Sequence, residues 1–143
     1  EQETFRRGNA GKKVDAVDSI LTERSARELY LKPFEMLVRE AHIACIMTSF
    51  NKINGVFAGG SKDLCTHILR EEWGYEGYVM TDWGSSTRCN AVDTAEAGNS
   101  WVAPGEMDNR EVDPMVQAIA EGRLDRERVR TNVYRMVQSL IRY

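Results

Sequence analysis

Apolar residues recur at three-and-four spacing from Ala26 through Leu29, Tyr30, Phe34, Leu37 and Val38 to Ala41, which is the stripe of a helix that buries one face. Pro33 interrupts the stripe. Proline has no amide to donate and disfavours helix in the residue before it, so the pattern predicts one helix over Thr22 to Leu31 and a second from Pro33. The run Ile43-Ala44-Cys45-Ile46-Met47-Thr48-Ser49-Phe50 shows no polar alternation and is followed by Asn51 and Asn54-Gly55, the pattern of a strand buried on both faces. Ser61 is a good N-cap for a helix through Leu64, Ile68, Leu69 and Trp73, with Gly74 placed to end it. Tyr78-Val79-Met80-Thr81 is a second strand, ending at Asp82.

The same rhythm continues with a helix over Arg88 to Ala97 stopped by Gly98, a short strand Trp101-Val102-Ala103 stopped by Pro104-Gly105, and a helix through Val112, Met115, Val116 and Ile119 stopped by Gly122. Asp125 caps a final helix, with Leu124 and Val129 at the two positions of a hydrophobic staple. Val14 to Ile20 is a candidate fourth strand, whereas Glu1 to Lys13 reads as a loop or arm. Short buried strands alternating with helices define an α/β class built from parallel units. A closed eight-stranded β/α barrel takes about 250 residues. The 143 residues therefore fit a partial barrel, about half of a TIM-type β/α barrel, or a small open α/β sheet, and residues 1–143 form one unit without repeat or linker.

Composition narrows the function classes. Hydrophobic residues make up 42% of the chain and charged residues 29%, a globular balance. The net charge of −3, with Lys and Arg scattered, argues against nucleic acid as a partner. No apolar stretch approaches the roughly 18–20 residues that cross a bilayer, so no membrane partner is expected. The first residues lack a basic-then-apolar leader, and with three thiols the expected compartment is the cytoplasm. The chain opens on Glu1 rather than Met, so a segment of a longer protein is expected. Cys45, Cys65 and Cys89 have neither the number nor the spacing of a disulfide framework or zinc cage, and read as small buried hydrophobes. No cofactor motif is present: there is no Walker loop and no G-x-G-x-x-G, and Gly59-Gly60-Ser61-Lys62 reads as a helix cap.

In parallel α/β architectures chemistry sits where strands end. Asp82 follows an apolar strand directly and precedes Trp83-Gly84. A carboxylate there either caps the next helix or, beside an indole, serves a sugar site, where it attacks an oxocarbenium-like centre while the ring packs on sugar C–H groups. Phe50, Asn51 and Asn54-Gly55 hold the equivalent place after the earlier strand and read as a turn. His42 and His67 fall in helical patterns without partners at metal or triad spacing, and Glu23-Arg24-Ser25-Ala26-Arg27-Glu28 reads as a solvated helix face.

Three ordered segments, Thr22-Glu23-Arg24-Ser25-Ala26-Arg27-Glu28-Leu29-Tyr30-Leu31-Lys32-Pro33-Phe34-Glu35, Ile46-Met47-Thr48-Ser49-Phe50-Asn51-Lys52-Ile53-Asn54-Gly55-Val56 and Leu69-Arg70-Glu71-Glu72-Trp73-Gly74-Tyr75-Glu76-Gly77-Tyr78-Val79-Met80-Thr81-Asp82-Trp83-Gly84, resemble glycoside hydrolase family 3 of the β-glucosidase type. The likeness covers nearly the whole chain, to Gly122-Arg123-Leu124. It implies the second half of an N-terminal barrel in a retaining hydrolase, with Asp82 as the catalytic nucleophile and Trp83 lining the aglycone side. It further implies that Met47 and Phe50 line the glycosyl subsite. Many members carry a Tyr at the position of Phe50, whose hydroxyl reaches the nucleophile; Phe50 has none.

Glu1-Gln2-Glu3 resembles the tail of a segment preceded in the family by a sugar-binding Lys-His pair, and the acid/base Glu belongs to a later domain. Ala97-Gly98-Asn99-Ser100-Trp101-Val102-Ala103-Pro104 resembles Ala-Gly-x-Asp-x-x-Met-Pro, with Ser100 and Ala103 in place of its Asp and Met. The Trp after the nucleophile and the lack of an Asp-His loop favour a glucosidase or xylosidase over a hexosaminidase. The expectation is a fragment inactive by itself, whose partners are a β-glucoside or related oligosaccharide, the remainder of the parent enzyme, and a second copy in a homodimer. A non-catalytic carbohydrate-binding or assembly domain on the same framework is the alternative.

Overall fold

The computed structural model describes residues 17–85, 89–105 and 114–143, and these form a mixed α/β structure with parallel strands. Element order is β1 (Asp18–Ser19), α1 (Glu23–Ser25, continued as a π-helical stretch over Ala26–Tyr30), α2 (Lys32–Arg39), β2 (Cys45–Thr48), β3 (Lys52–Ile53), β4 (Val56–Phe57), the π-helical α3 (Asp63–Glu72), β5 (Tyr78–Thr81), α4 (Ala91–Ala97), α5 (Pro114–Ala120) and α6 (Arg126–Arg142). Thr22 caps α1 by accepting from the Ser25 N–H at 3.1 Å, and the chain restarts as α2 with Pro33 in its first turn. Asp125 caps α6, and Leu124 packs with Val129 as the staple requires.

Two small sheets result. β2 and β5 pair in parallel from Cys45↔Tyr78 to Thr48↔Thr81, and Trp101 bridges Met80 in parallel on the far side of β5. Separately, β1 pairs in parallel with β3, which turns into β4 through Asn54-Gly55. Both turn residues have positive φ, the geometry that makes Asn-Gly a favoured two-residue hairpin.

The core lies between β2–β5 and the helices, where Val38, Leu69, Trp73, Tyr75 and Val79 pack with Ile43 and Ile46. A smaller cluster joins α4, α5 and α6 through Ala95, Ala118 and Leu124. Asn132 of α6 donates to the Ala95 carbonyl at 2.9 Å and ties these helices together. Gly77, at the entry to β5, sits where a Cβ would overlap the Ala44 carbonyl and the Tyr75 ring, so only glycine allows the two strand starts to approach.

Several expectations need correction. β2 is not buried on both faces: Ile46 and Thr48 face the helices, but Met47 is 54% exposed. Packing among the described residues covers only one face. The strand expected at Trp101 to Ala103 is reduced to the single bridge at Trp101, because Pro104 follows and the backbone leaves the ladder. The fourth strand exists within the described residues only as Asp18–Ser19, and it joins the β3–β4 hairpin rather than the parallel pair. His42 lies outside any helix: α2 ends at Arg39 with Glu40 as its C-cap, and His42 follows the turn with φ of 50°. The turn expected after β2 is present as a bend at Phe50-Asn51 and a turn at Asn54-Gly55, and within it Asn51 is buried, its amide donating to Ser19 Oγ at 2.8 Å.

The charged face of α1 carries the i,i+4 pairs Arg24–Glu28 and Arg27–Glu23, and Arg27 also forms a two-pronged pair with Glu72 of α3. The Glu1 to Lys13 arm, Arg88 and Val112 lie outside the described residues. Cys65 and Cys89 are buried free thiols and Cys45 is half-buried; burial pushes the Cys65 thiol up to about 11, which fits the role of a buried hydrophobe.

Candidate functional site

Because β2 and β5 stop at the same register, the segments leaving Thr48 and Thr81 emerge side by side. One segment begins Ser49-Phe50-Asn51, the other Asp82-Trp83-Gly84. Asp82 is partly exposed at the C-terminal end of β5. Its Oδ1 accepts from the Trp83 N–H at 2.6 Å, while its carbonyl accepts from the Ser85 N–H at 3.1 Å and the Ser85 hydroxyl at 3.0 Å. Among the described residues Oδ2 has no hydrogen-bond partner. The carboxylate therefore fixes its own turn with one oxygen and caps no described helix: α4 is capped by Asn90, which accepts from the Asp93 N–H at 2.9 Å. Trp83 is 72% exposed.

The turn is anchored from the neighbouring segment. Gly84, with φ of 80°, donates its N–H to the Ala103 carbonyl at 2.9 Å. The Ala103 N–H in turn donates to the buried Thr81 Oγ1 at 2.9 Å, and the Thr81 N–H donates to the Trp101 carbonyl at 3.0 Å. A buried backbone donor left unmade costs about 1–3 kcal/mol, so this ladder holds Asp82 firmly in place. Below it, Asn99 donates to the Gly59 carbonyl at 2.6 Å and joins the loop after β4 to the segment entering Trp101.

Met47 lies on β2 opposite Met80, on the face turned away from the helices. It also borders an apolar cavity of about 360 Å³ lined by Tyr30, Phe34, Ile46, Leu64 and Ile68 on the helix side. Asp82, Trp83 and Phe50 do not line that cavity. Phe50 is half-buried two residues beyond β2. The structure thus brings Asp82 and Trp83 together at one strand end, sets Phe50 at the end of the adjacent strand, and puts Met47 a step down the sheet. At the altered Ala-Gly-x-Asp-like segment, Ser100 Oγ is enclosed without a hydrogen-bond partner among the described residues, and Ala103 is buried. Sequence reasoning missed the Thr81–Ala103–Gly84 ladder and the placement of Trp101. The short apolar piece Trp101-Val102-Ala103 was visible, but its strand partner was not.

The model of the glycosyl hydrolase family 3 N terminal domain matches residues 7–139. A β-glucosidase of Rhizobium radiobacter is 38% identical over 126 residues, covering 88% of this chain and 15% of that protein. A probable β-glucosidase I of Aspergillus fumigatus is 46% identical over 91 residues, covering 63% of this chain and 10% of that protein. Among solved structures, β-glucosidase 3B from Thermotoga neapolitana, in complex with glycerol, superposes with a TM-score of 0.80 at 34% identity, over 88% of this chain and 18% of that one. A Bifidobacterium adolescentis β-glucosidase gives 0.79 at 35% identity, over 87% and 18%. The chain spans about a tenth to a seventh of the length of these curated relatives.

Thr81→Val keeps the shape of Thr81 but leaves the Ala103 N–H without its acceptor. We expect a loss of about 1–3 kcal/mol in urea unfolding, with Thr81→Ser near the parent. Equal stability of Thr81→Val and the parent would show that the ladder does not hold this turn.

Proposed function

Because the chain belongs to glycosyl hydrolase family 3, through its N-terminal domain, we propose that it is part of a retaining β-glycosidase, a β-glucosidase or β-xylosidase, and supplies the nucleophile Asp82. One observation carries this reading: a half-exposed carboxylate at the C-terminal end of a parallel strand, with an exposed indole beside it. In the proposed reaction an Asp82 oxygen bonds to the anomeric carbon as the bond to the leaving oxygen breaks. A carboxylic acid about 5–5.5 Å away protonates that oxygen, and water then cleaves the glycosyl ester. The acid and the Lys-His pair come from elsewhere in the parent enzyme. Met47, Phe50 and Trp83 line the sugar and its aglycone, and Phe50 contributes packing without a hydroxyl to Asp82.

The same reading makes residues 1–143 the second half of a barrel. Support comes from the helices lying on one face of the β2–β5 pair while Met47 and Trp101 stand exposed on the other. Among the described residues the outer edge of β2 is unpaired as well. An open strand edge favours association, so we propose that two copies pair edge to edge along β2 in a two-fold dimer that approximates a whole barrel and leaves the strand ends open. The alternative function, a non-catalytic carbohydrate-binding or assembly domain, is favoured by one observation, the orphaned Ser100 hydroxyl where the family resemblance implies an Asp.

Three outcomes are expected. The 143-residue chain does not turn over an aryl β-glucoside, because two carboxylates act as a unit; turnover near the 1–10³ per second typical of enzymes, in round figures, contradicts this. Calorimetric titration shows weak binding of the same glucoside, lost in Trp83→Ala, whereas an assembly module gives no heat. Light scattering at high concentration shows dimers, and a strictly monomeric chain overturns the pairing.

A further inference from the structure

Trp101 is tied to β5 at both ends of its peptide unit. Its N–H donates to the Val79 carbonyl at 3.1 Å and its carbonyl accepts from the Thr81 N–H at 3.0 Å. It is the parallel bridge partner of Met80, and Met80 is in turn the register partner of Met47. Partners in a ladder share a face, so Met47, Met80 and Trp101 form one row across three adjacent backbone segments. The residues between them along the strands, Ile46, Thr48, Val79 and Thr81, face the helices, and Val79 is 0% exposed. The row is thus on the face away from the helices.

Asp82 lies one residue past the end of β5 and two beyond Met80, and extending the strand's alternation by that one residue puts it above the same face. Two residues advance a strand by roughly 6.6 Å and neighbouring strands are roughly 4.8 Å apart, so the backbones of Trp101 and Asp82 are separated by about 8 Å. An indole spans much of that gap. Trp101 is 47% exposed on this open face, and among the described residues its ring has no hydrogen-bond partner. Trp83, by contrast, sits on the turn past Asp82 at the rim. One indole therefore stands above the carboxylate and the other a step below it. The lower one is held in the ladder rather than on a loop, which makes it a rigid surface.

We propose that Trp101 is the floor of the sugar pocket, its indole packing against the C–H face of the hexose or pentose that bonds to Asp82. This rests on the reading of Asp82 as the nucleophile of a β-glycosidase. The two indoles then divide the substrate. Trp101 reads the glycosyl ring, and Trp83 reads the group attached to it. Aromatic packing of this kind is sequence-tolerant in the partner but demanding in shape, so Trp101 sets which ring fits rather than the rate of bond cleavage.

The test is titration of the whole 143-residue chain with glucose and with phenyl β-glucoside, followed through the indole N–H resonances. In the parent, glucose shifts the Trp101 resonance. Trp101→Ala and Trp101→Leu weaken glucose and phenyl β-glucoside by the same factor, about 3- to 10-fold, and Trp101→Phe stays within about 2-fold. Trp83→Ala weakens the phenyl glucoside more than glucose. The leucine variant carries the test if the alanine variant unfolds. If the parent binds and Trp83→Ala is impaired while Trp101→Leu matches the parent for both ligands, the floor is overturned and the nucleophile reading stands. If the parent binds neither ligand, both are overturned.

Discussion

The shared register of β2 and β5 is the constraint on which the rest depends. Parallel pairing from Cys45↔Tyr78 to Thr48↔Thr81 forces both strands to end at one level, so whatever follows Thr48 and Thr81 is presented side by side. That register is itself set by close packing at the strand starts, where Gly77 lets the backbone reach Ala44, and by the core cluster beneath Ile46 and Val79. Side chains with a period of two then separate two tasks. One face of each strand builds the core with the helices, and the other carries Met47, Met80 and Trp101 into the open.

At the strand end, backbone hydrogen bonding converts register into a fixed site. Thr81 is buried and polar, and it satisfies the Ala103 N–H while Ala103 satisfies Gly84. Gly84 adopts a positive φ that brings its N–H to that acceptor, and Asp82 uses one oxygen on the Trp83 N–H. Among the described residues the second oxygen has no hydrogen-bond partner. The chain belongs to glycosyl hydrolase family 3, and the role proposed for this carboxylate is attack on an anomeric carbon, with a second carboxylic acid protonating the leaving oxygen.

Much of this was legible in the sequence because the signals were local. The break between α1 and α2 follows from Pro33, the N-cap of α6 from Asp125, the hairpin from Asn54-Gly55, and the end of β5 from the polar residue after an apolar run. The position of Asp82 and Trp83 at that end was readable for the same reason. What was not legible depends on partners distant along the chain. The apolar run of β2 could not announce that Met47 would stand exposed, since an uncovered face and a covered one have the same composition. The burial of Asn51 in its turn was not readable because its partner, Ser19, lies 32 positions away. Arg27 read as a solvated charge because Glu72 is 45 positions away, and Trp101 gained meaning only when Met80 was found opposite it.

The proposed role of Asp82 requires that it bond covalently to a sugar, and one reagent tests that without help from an acid catalyst. A 2-deoxy-2-fluoro-β-glucoside with a dinitrophenolate leaving group needs no proton to depart, so the nucleophile alone forms the glycosyl ester. Mass spectrometry of the labelled, digested 143-residue chain should find one added fluoroglucosyl group on the peptide containing Asp82, and none in Asp82→Asn. Labelling that survives Asp82→Asn, or a parent chain that takes up no sugar at saturating reagent, would contradict the account.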